Sequence, residues 1–220
     1  NVETVADLGV MVDSELKFSP HICTMVRKAH TRSRLLLKCF VSRDKPTLVK
    51  AFMTYVLPIV EYCSTVWSPH LIKDIEMVEA VQRRFTKRLP GLWNVPYLER
   101  LKTLGLERLD IRRLKIDLIM TYKILFGLTC LRSEQFFHLS PIRTTRGHQY
   151  KLFMPNITSD IRKYFFCSRV LQAWNDLPSD TDFTNLAHFK KALEKVNLSK
   201  LLHRTDYLIS QLIYSLQQNT

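Results

Sequence analysis

Two proline-bearing breaks, Ser68-Pro69 and Pro90-Gly91, frame a stretch whose apolar residues line up only on a helix. Leu71, Ile75, Val78, Phe85 and Leu89 recur at alternating spacings of four and three, with Gln82 in the gap. Ser68 is placed to cap the exposed amides, and Pro69 suits the first helical position. Asp74, Glu76 and Glu79 lie towards the positive end of the helix dipole, and Arg83, Arg84, Lys87 and Arg88 towards the negative end, so both charge groups favour the helix. The expectation is a helix that docks by one face, offers a cationic end and stops at Pro90-Gly91.

Charge sets the next constraint. The 220 residues carry 33 basic and 20 acidic side chains, a formal charge of +13, with a pI near 9.7. Such a chain repels itself unless polyanions share the load, which suits RNA, DNA or acidic lipid; a basic globule that binds nothing is the alternative. The five cysteines are scattered without a C-x-x-C pair, and no two of the seven histidines sit at metal spacing, so reduced core thiols are expected rather than zinc or disulfides. The uncharged run near residues 51–60 is too short to span a bilayer and contains Pro58. Together with the absence of a leader after Asn1, this reads as an intracellular fragment of a longer polypeptide, nuclear or cytoplasmic, with no membrane partner.

Along the chain, residues 5–18 read as a hairpin. Leu8, Val10 and Val12 alternate, Asp13-Ser14-Glu15 turns, and Leu16 and Phe18 return. After Ser19-Pro20 the period becomes helical through Ile22, Met25, Val26, Ala29, Leu36, Leu37 and Phe40. Arg27, Thr31, Arg34 and Lys38 line another face, and no acid occurs between Glu15 and Asp44. A solvated helix normally mixes signs, so this face is a phosphate candidate. A buried central helix is expected from Pro46 to Val56, broken at Pro58, then a short helix at 97–101 ending near Gly105. Asp110 is placed to cap a long helix with core stripe Ile111, Leu114, Leu118, Tyr122 and Leu125. Arg112, Arg113 and Lys115 at its start oppose the dipole, a hint of use beyond stability. Residues 128–161 form a loose connection whose cations either meet phosphate or decorate a basic loop. Helices are expected again around Val170 and Trp174, over 185–196 and over 201–216.

In order, these segments resemble the downstream part of a non-LTR retrotransposon (LINE) reverse transcriptase of the jockey and chicken-repeat clades. The resemblance rests on Asp7-Leu8-Gly9-Val10, Asp13-Ser14 and His21-Ile22, then Glu61-Tyr62-Cys63-Ser64 with Val66-Trp67-Ser68-Pro69, and Val81-Gln82-Arg83-Arg84-Phe85-Thr86. It continues through Tyr97-Leu98-Glu99-Arg100-Leu101, Arg112-Arg113, Asp117-Leu118, Tyr122-Lys123-Ile124, Arg146-Gly147-His148 and Trp174-Asn175-Asp176-Leu177-Pro178. The resemblance implies a mainly α fold: a hairpin leaving the palm at 1–19, a thumb-like helical bundle at 20–92 and a C-terminal helical extension at 93–220. It also implies that the polymerase site, with paired aspartates holding Mg2+, lies in a palm preceding Asn1. No Asp-Asp dipeptide occurs here, so no catalytic or metal residue carries over and the fragment is expected to be inactive alone.

The function implied is a thumb that grips an RNA–DNA hybrid or RNA and works with the remainder of the polymerase polypeptide. Phosphate contacts are assigned to Arg27, Arg34, Lys38, Arg83, Arg84, Lys87 and Arg88. Trp67 and Trp174 read as core, as do Tyr97 and Tyr122, and Trp93 is the aromatic worth testing for stacking. His21 and His148 read as ordinary hydrogen-bonded histidines ahead of phosphate ligands. The rival readings are a domesticated remnant acting as a helical protein-interaction module and a decayed copy. An enzyme in its own right finds no G-x-S-x-G and no phosphate loop, and Glu76/Glu79 read as solvated salt-bridge partners.

Overall fold

A computed structural model describes residues 4–141 and 147–202. The chain is mainly helical, with an N-terminal antiparallel hairpin. Strands β1 (Thr4–Asp7) and β2 (Val10–Asp13) pair from Thr4↔Asp13 to Asp7↔Val10. The turn is Leu8-Gly9, with φ of 44° and 86°, the two positive values of a two-residue hairpin loop. The expected turn at Asp13-Ser14-Glu15 is instead the exit from β2. There Asp13 Oδ1 accepts from the backbone N–H groups of Glu15 and Lys17. Leu16 and Phe18 sit at φ 53° and 56°, so no return strand forms.

The helices of the first half are α1 (Ser19–Cys39), α2 (Lys45–Tyr55), α3 (Leu57–Glu61), α4 (Ser64–Trp67), α5 (Ile72–Lys87), α6 (Tyr97–Leu104) and α7 (Leu109–Leu125). Asp44 caps α2 by accepting from the Thr47 N–H at 3.0 Å and hydroxyl at 2.7 Å. Gly105, at φ 63°, closes α6 in the left-handed conformation that glycine adopts without strain. Ile22, Met25, Val26, Ala29 and Leu36 turn α1 inward. Against them pack α2 and α3, and α5, whose Phe85 stacks on Phe52 of α2 at 4.4 Å. The expected burial of α2 on most sides is corrected: Met53, Thr54 and Tyr55 are exposed.

Helix α5 departs from the sequence reading at its start. Ser68 N donates to Ser64 O and closes α4, so Ser68-Pro69 do not open α5. The earlier turn exists because Trp67 is driven into the core, 1% exposed, with its indole N–H on Tyr62 O at 2.7 Å. Helix α5 starts at Ile72, and Leu71 O accepts from Asp74 and Ile75. Its buried face holds Val78, Val81 and Phe85 together with Asp74, Glu79, Gln82 and Thr86. Glu79 is thus not solvated.

Two compact units are distinguished, one within Asn1–Arg112 and one within Arg113–Ser215. The first unit extends beyond residue 92 because α6 and the start of α7 are tied to α5: Gln82 Nε2 donates to Tyr97 Oη (3.1 Å) and Glu107 O (2.8 Å). In the second unit α8 (Asp160–Tyr164), α9 (Phe166–Asn175) and α10 (Leu186–Lys195) accompany the greater part of α7. Its core is an aromatic cluster in which Tyr122 stacks on Phe126 and Phe189, with Trp174 beside Phe183. The expected α7 stripe is too narrow, since Arg113, Asp117, Leu118, Thr121, Tyr122 and Ile124 are all buried and no residue of α7 is fully exposed.

The connection over 128–161 is anchored at several points. Leu139 bridges Leu152. The Asn175 amide accepts from Leu152 N and donates to Leu152 O, each at 2.8 Å. Arg143 and Arg146 lie outside the described residues, as does the helix expected over 201–216 from His203 onward. Among the described residues no helix is long and apolar enough to cross a membrane.

Candidate nucleic-acid interface

Helix geometry sets the first half of the site. At about 100° per residue, Arg27, Arg34 and Lys38 project along one line on α1, opposite Ile22, Met25, Ala29 and Leu36. All three cations are exposed. On α5 the same arithmetic separates the four basic residues. Arg84 and Arg88 share one flank, Lys87 points away from the buried face, and Arg83 lies on the far flank beside Glu76. Helices α1 and α5 pack directly together.

His30 marks where the two helices' charges meet. Burial holds its imidazole below the ordinary range, and the fields of Arg84, Arg34 and Arg88 push it further the same way. One half-buried ring therefore feels cations from α1 and α5 at once. The structure brings Arg34, Arg84 and Arg88 together around it, with Arg27 and Lys38 continuing the α1 line.

Partner accounting separates these cations from the rest. Among the described residues, Arg27, Arg34, Lys38, Arg84, Lys87 and Arg88 have no carboxylate partner. Arg83 is different: its guanidinium pairs with Glu76 at 2.6 Å, both about a quarter exposed. The hint attached to Arg112, Arg113 and Lys115 dissolves in the same way. Arg112 grips Glu61, Lys115 Nζ meets Glu194 at 2.9 Å, and Arg113 is buried close to Asp117. Asp117 in turn receives both Arg169 nitrogens, at 2.9 and 3.0 Å. Carboxylates are spent on fixing helices elsewhere, whereas α1 contains none.

The reading from sequence missed His30, Lys28 and Arg32. Lys28 and Arg32 are exposed and have no carboxylate partner among the described residues. Their signal was the same acid-free run, but they fall off the line through Arg27, Arg34 and Lys38. Four of the aromatics are packing residues, since Trp67, Trp174, Tyr97 and Tyr122 are buried, whereas Trp93 is 66% exposed. His21 Nδ1 accepts from Met11 N at 3.3 Å. His148 Nδ1 accepts from Tyr150 N, which leaves Nε2 to donate to Trp174 O at 2.8 Å.

The quoted motifs engage one another. Tyr62 Oη donates to Leu8 O at 2.9 Å, Glu61 holds Arg112, and His148 holds Trp174 O. Gln82 and Thr86 meet Tyr97 and Arg100, with Arg100 Nε on Thr86 Oγ1 at 3.2 Å. These motif residues are fold determinants, and most of the bare cations lie outside the motifs. No group of three or more His, Cys, Asp or Glu among the described residues could hold a metal ion.

Over 121 residues the chain is 27% identical to an uncharacterised protein of Caenorhabditis elegans. The match covers 54% of this chain and 61% of that protein, so the chain spans less than two thirds of its relative's length. No family model matches the chain, and no solved structure matches it.

Proposed function

We propose that the chain is the thumb and C-terminal region of a LINE-type RNA-directed DNA polymerase. In this reading it grips an RNA–DNA template–primer by its phosphates, while the chemistry resides in the remainder of the polymerase polypeptide. The observation that carries it is the bare cationic face: Arg34 on α1 and Arg84 and Arg88 on α5 act together on His30, Arg27 and Lys38 extend the α1 line, and no carboxylate neutralises any of them among the described residues. Unpaired exposed cations repel each other, and phosphates relieve that repulsion without any reading of sequence. Support also comes from the motifs behind the resemblance, several of which lock onto one another within the first unit.

An anisotropy titration against an RNA–DNA hybrid tests the proposal. Each phosphate neutralised adds roughly 0.7–0.9 to the log–log salt slope, so Arg27, Arg34, Lys38, Arg84, Lys87 and Arg88 together contribute about 4–5. Neutralising Arg27, Arg34 and Lys38 together lowers it by roughly 2–3. An affinity that ignores both salt and these substitutions overturns the proposal. A second reading, a helical protein-interaction module, draws on exposed Phe153, Met154, Ile161 and Phe165 in the second unit. It predicts a stable protein complex with no hybrid binding.

A further inference from the structure

Beside the cationic line lies a cleft of about 340 Å³ formed by β2, α1 and α3. Met11, Met25 and Ile59 supply apolar surface, and Lys28 and Arg32 contribute the charge. The Tyr62 ring also lines it and is 54% exposed, yet its hydroxyl is fixed on Leu8 O. A held, open aromatic ring beside thioethers is a surface for a flat partner. His21 lines the same cleft. Its Nδ1 accepts from Met11 N, so the neutral ring carries its proton on Nε2, which has no hydrogen-bond partner among the described residues. Burial keeps that ring neutral.

The cleft is continuous with the proposed interface. An open hollow of about 520 Å³ on the outer side of α1 shares Thr24, Lys28 and Arg32 with it and extends to Arg27. An occupant must therefore be flat and partly apolar, must offer an acceptor to a neutral N–H, and must carry anionic charge leading towards Arg27. A nucleotide unit of a single strand meets each requirement.

We propose that this cleft seats one unpaired nucleobase at a single-stranded end of the bound nucleic acid, with the adjoining phosphates on Lys28 and Arg32. The base stacks on Tyr62 and accepts from His21 Nε2. Every base offers acceptors, so the seat is tolerant of sequence. The assignment rests on the reading that the α1 cations carry phosphates.

The test compares two hybrids with the full chain, one blunt and one bearing a short single-stranded extension that contains 2-aminopurine. The extended hybrid is expected to bind at least roughly fivefold tighter, the lower end of what one stacked base contributes, with quenched 2-aminopurine fluorescence. Thr24→Trp, an exposed position lining the cleft, should abolish the preference and the quenching, so that the two hybrids bind alike. Because both residues are exposed, Lys28→Gln with Arg32→Gln gives an independent variant, expected to weaken the extended hybrid more than the blunt one. Equal affinities for the two hybrids, with salt-dependent binding of both, overturn the base seat and leave the interface standing. Binding of neither hybrid overturns both.

Discussion

Glu79→Gln probes the joint on which the first unit depends. The Glu79 carboxylate is 6% exposed. One oxygen accepts from Tyr97 Oη and the other from Leu109 N at 3.0 Å, so a single side chain of α5 fixes α6 and the first turn of α7. Burial and the adjacent carboxylate hold the Tyr97 phenol well above its ordinary range, which keeps it a donor. Glutamine preserves shape but offers one acceptor oxygen, so one of two buried donors faces an amide N–H₂. That costs about 1–3 kcal/mol, and the surviving bond loses its charge assistance, about 1 kcal/mol more. The sum, about 2–4 kcal/mol, lowers the midpoint of thermal unfolding by roughly 4–16 °C for a chain of this size. Glu76→Gln is the control, because the Glu76–Arg83 pair is partly exposed and contributes about 0–1 kcal/mol. Circular-dichroism melts of both variants decide the matter. Equal midpoints for the two refute the reasoning, and an absent coupling between Glu79→Gln and Tyr97→Phe in a double-mutant cycle does so independently.

Other consequences are as direct. Asp117→Ala removes the carboxylate that both Arg169 nitrogens meet, from a guanidinium side chain 14% exposed, and should cost about 3–5 kcal/mol in a denaturant melt. Burial holds the imidazoles of His21, His30 and His148 below their ordinary range. The unfolded chain therefore protonates first as pH falls. Their contribution is complete above about pH 6.5 and is lost as pH drops through that value towards the folded pKa values, so melting midpoints measured across this window should decline on acidification. Trp93→Ala should change stability by less than about 0.5 kcal/mol, whereas Trp174→Ala, at a fully buried indole, should cost about 3–5 kcal/mol, both read from urea midpoints.

How much could be read beforehand depended on distance along the chain. Helix α1 was legible because a single apolar stripe faces one core, and Gly105 announced the end of α6. Helix α5 was legible in existence and sign but not in its start or its buried face. Charge type suggested that Glu79 was solvated, and only partners far off in sequence, Tyr97 and Leu109, make its burial tolerable. The hairpin turn was misplaced because Asp13-Ser14-Glu15 has turn chemistry too, and Gly9 was the sharper signal. Helix α7 has no narrow stripe to read because it is covered nearly all round. Among the cations, the acid-free run identified the α1 face. Sequence alone could not show that Arg112 is consumed by Glu61 or Lys115 by Glu194, since those partners are 51 and 79 positions away.

His30 offers the closest view of the proposed phosphate seat, because its ring feels Arg34, Arg84 and Arg88 together. The decisive measurement is an NMR titration of the His30 ring protons, free and saturated with RNA–DNA hybrid at low salt. If phosphates settle on those arginines, their field at the ring is cancelled and the His30 pKa rises on binding. It should rise likewise, without nucleic acid, when Arg34, Arg84 and Arg88 are changed to glutamine. A His30 titration that stays put while hybrid demonstrably binds would contradict the account, since the phosphates would then lie elsewhere.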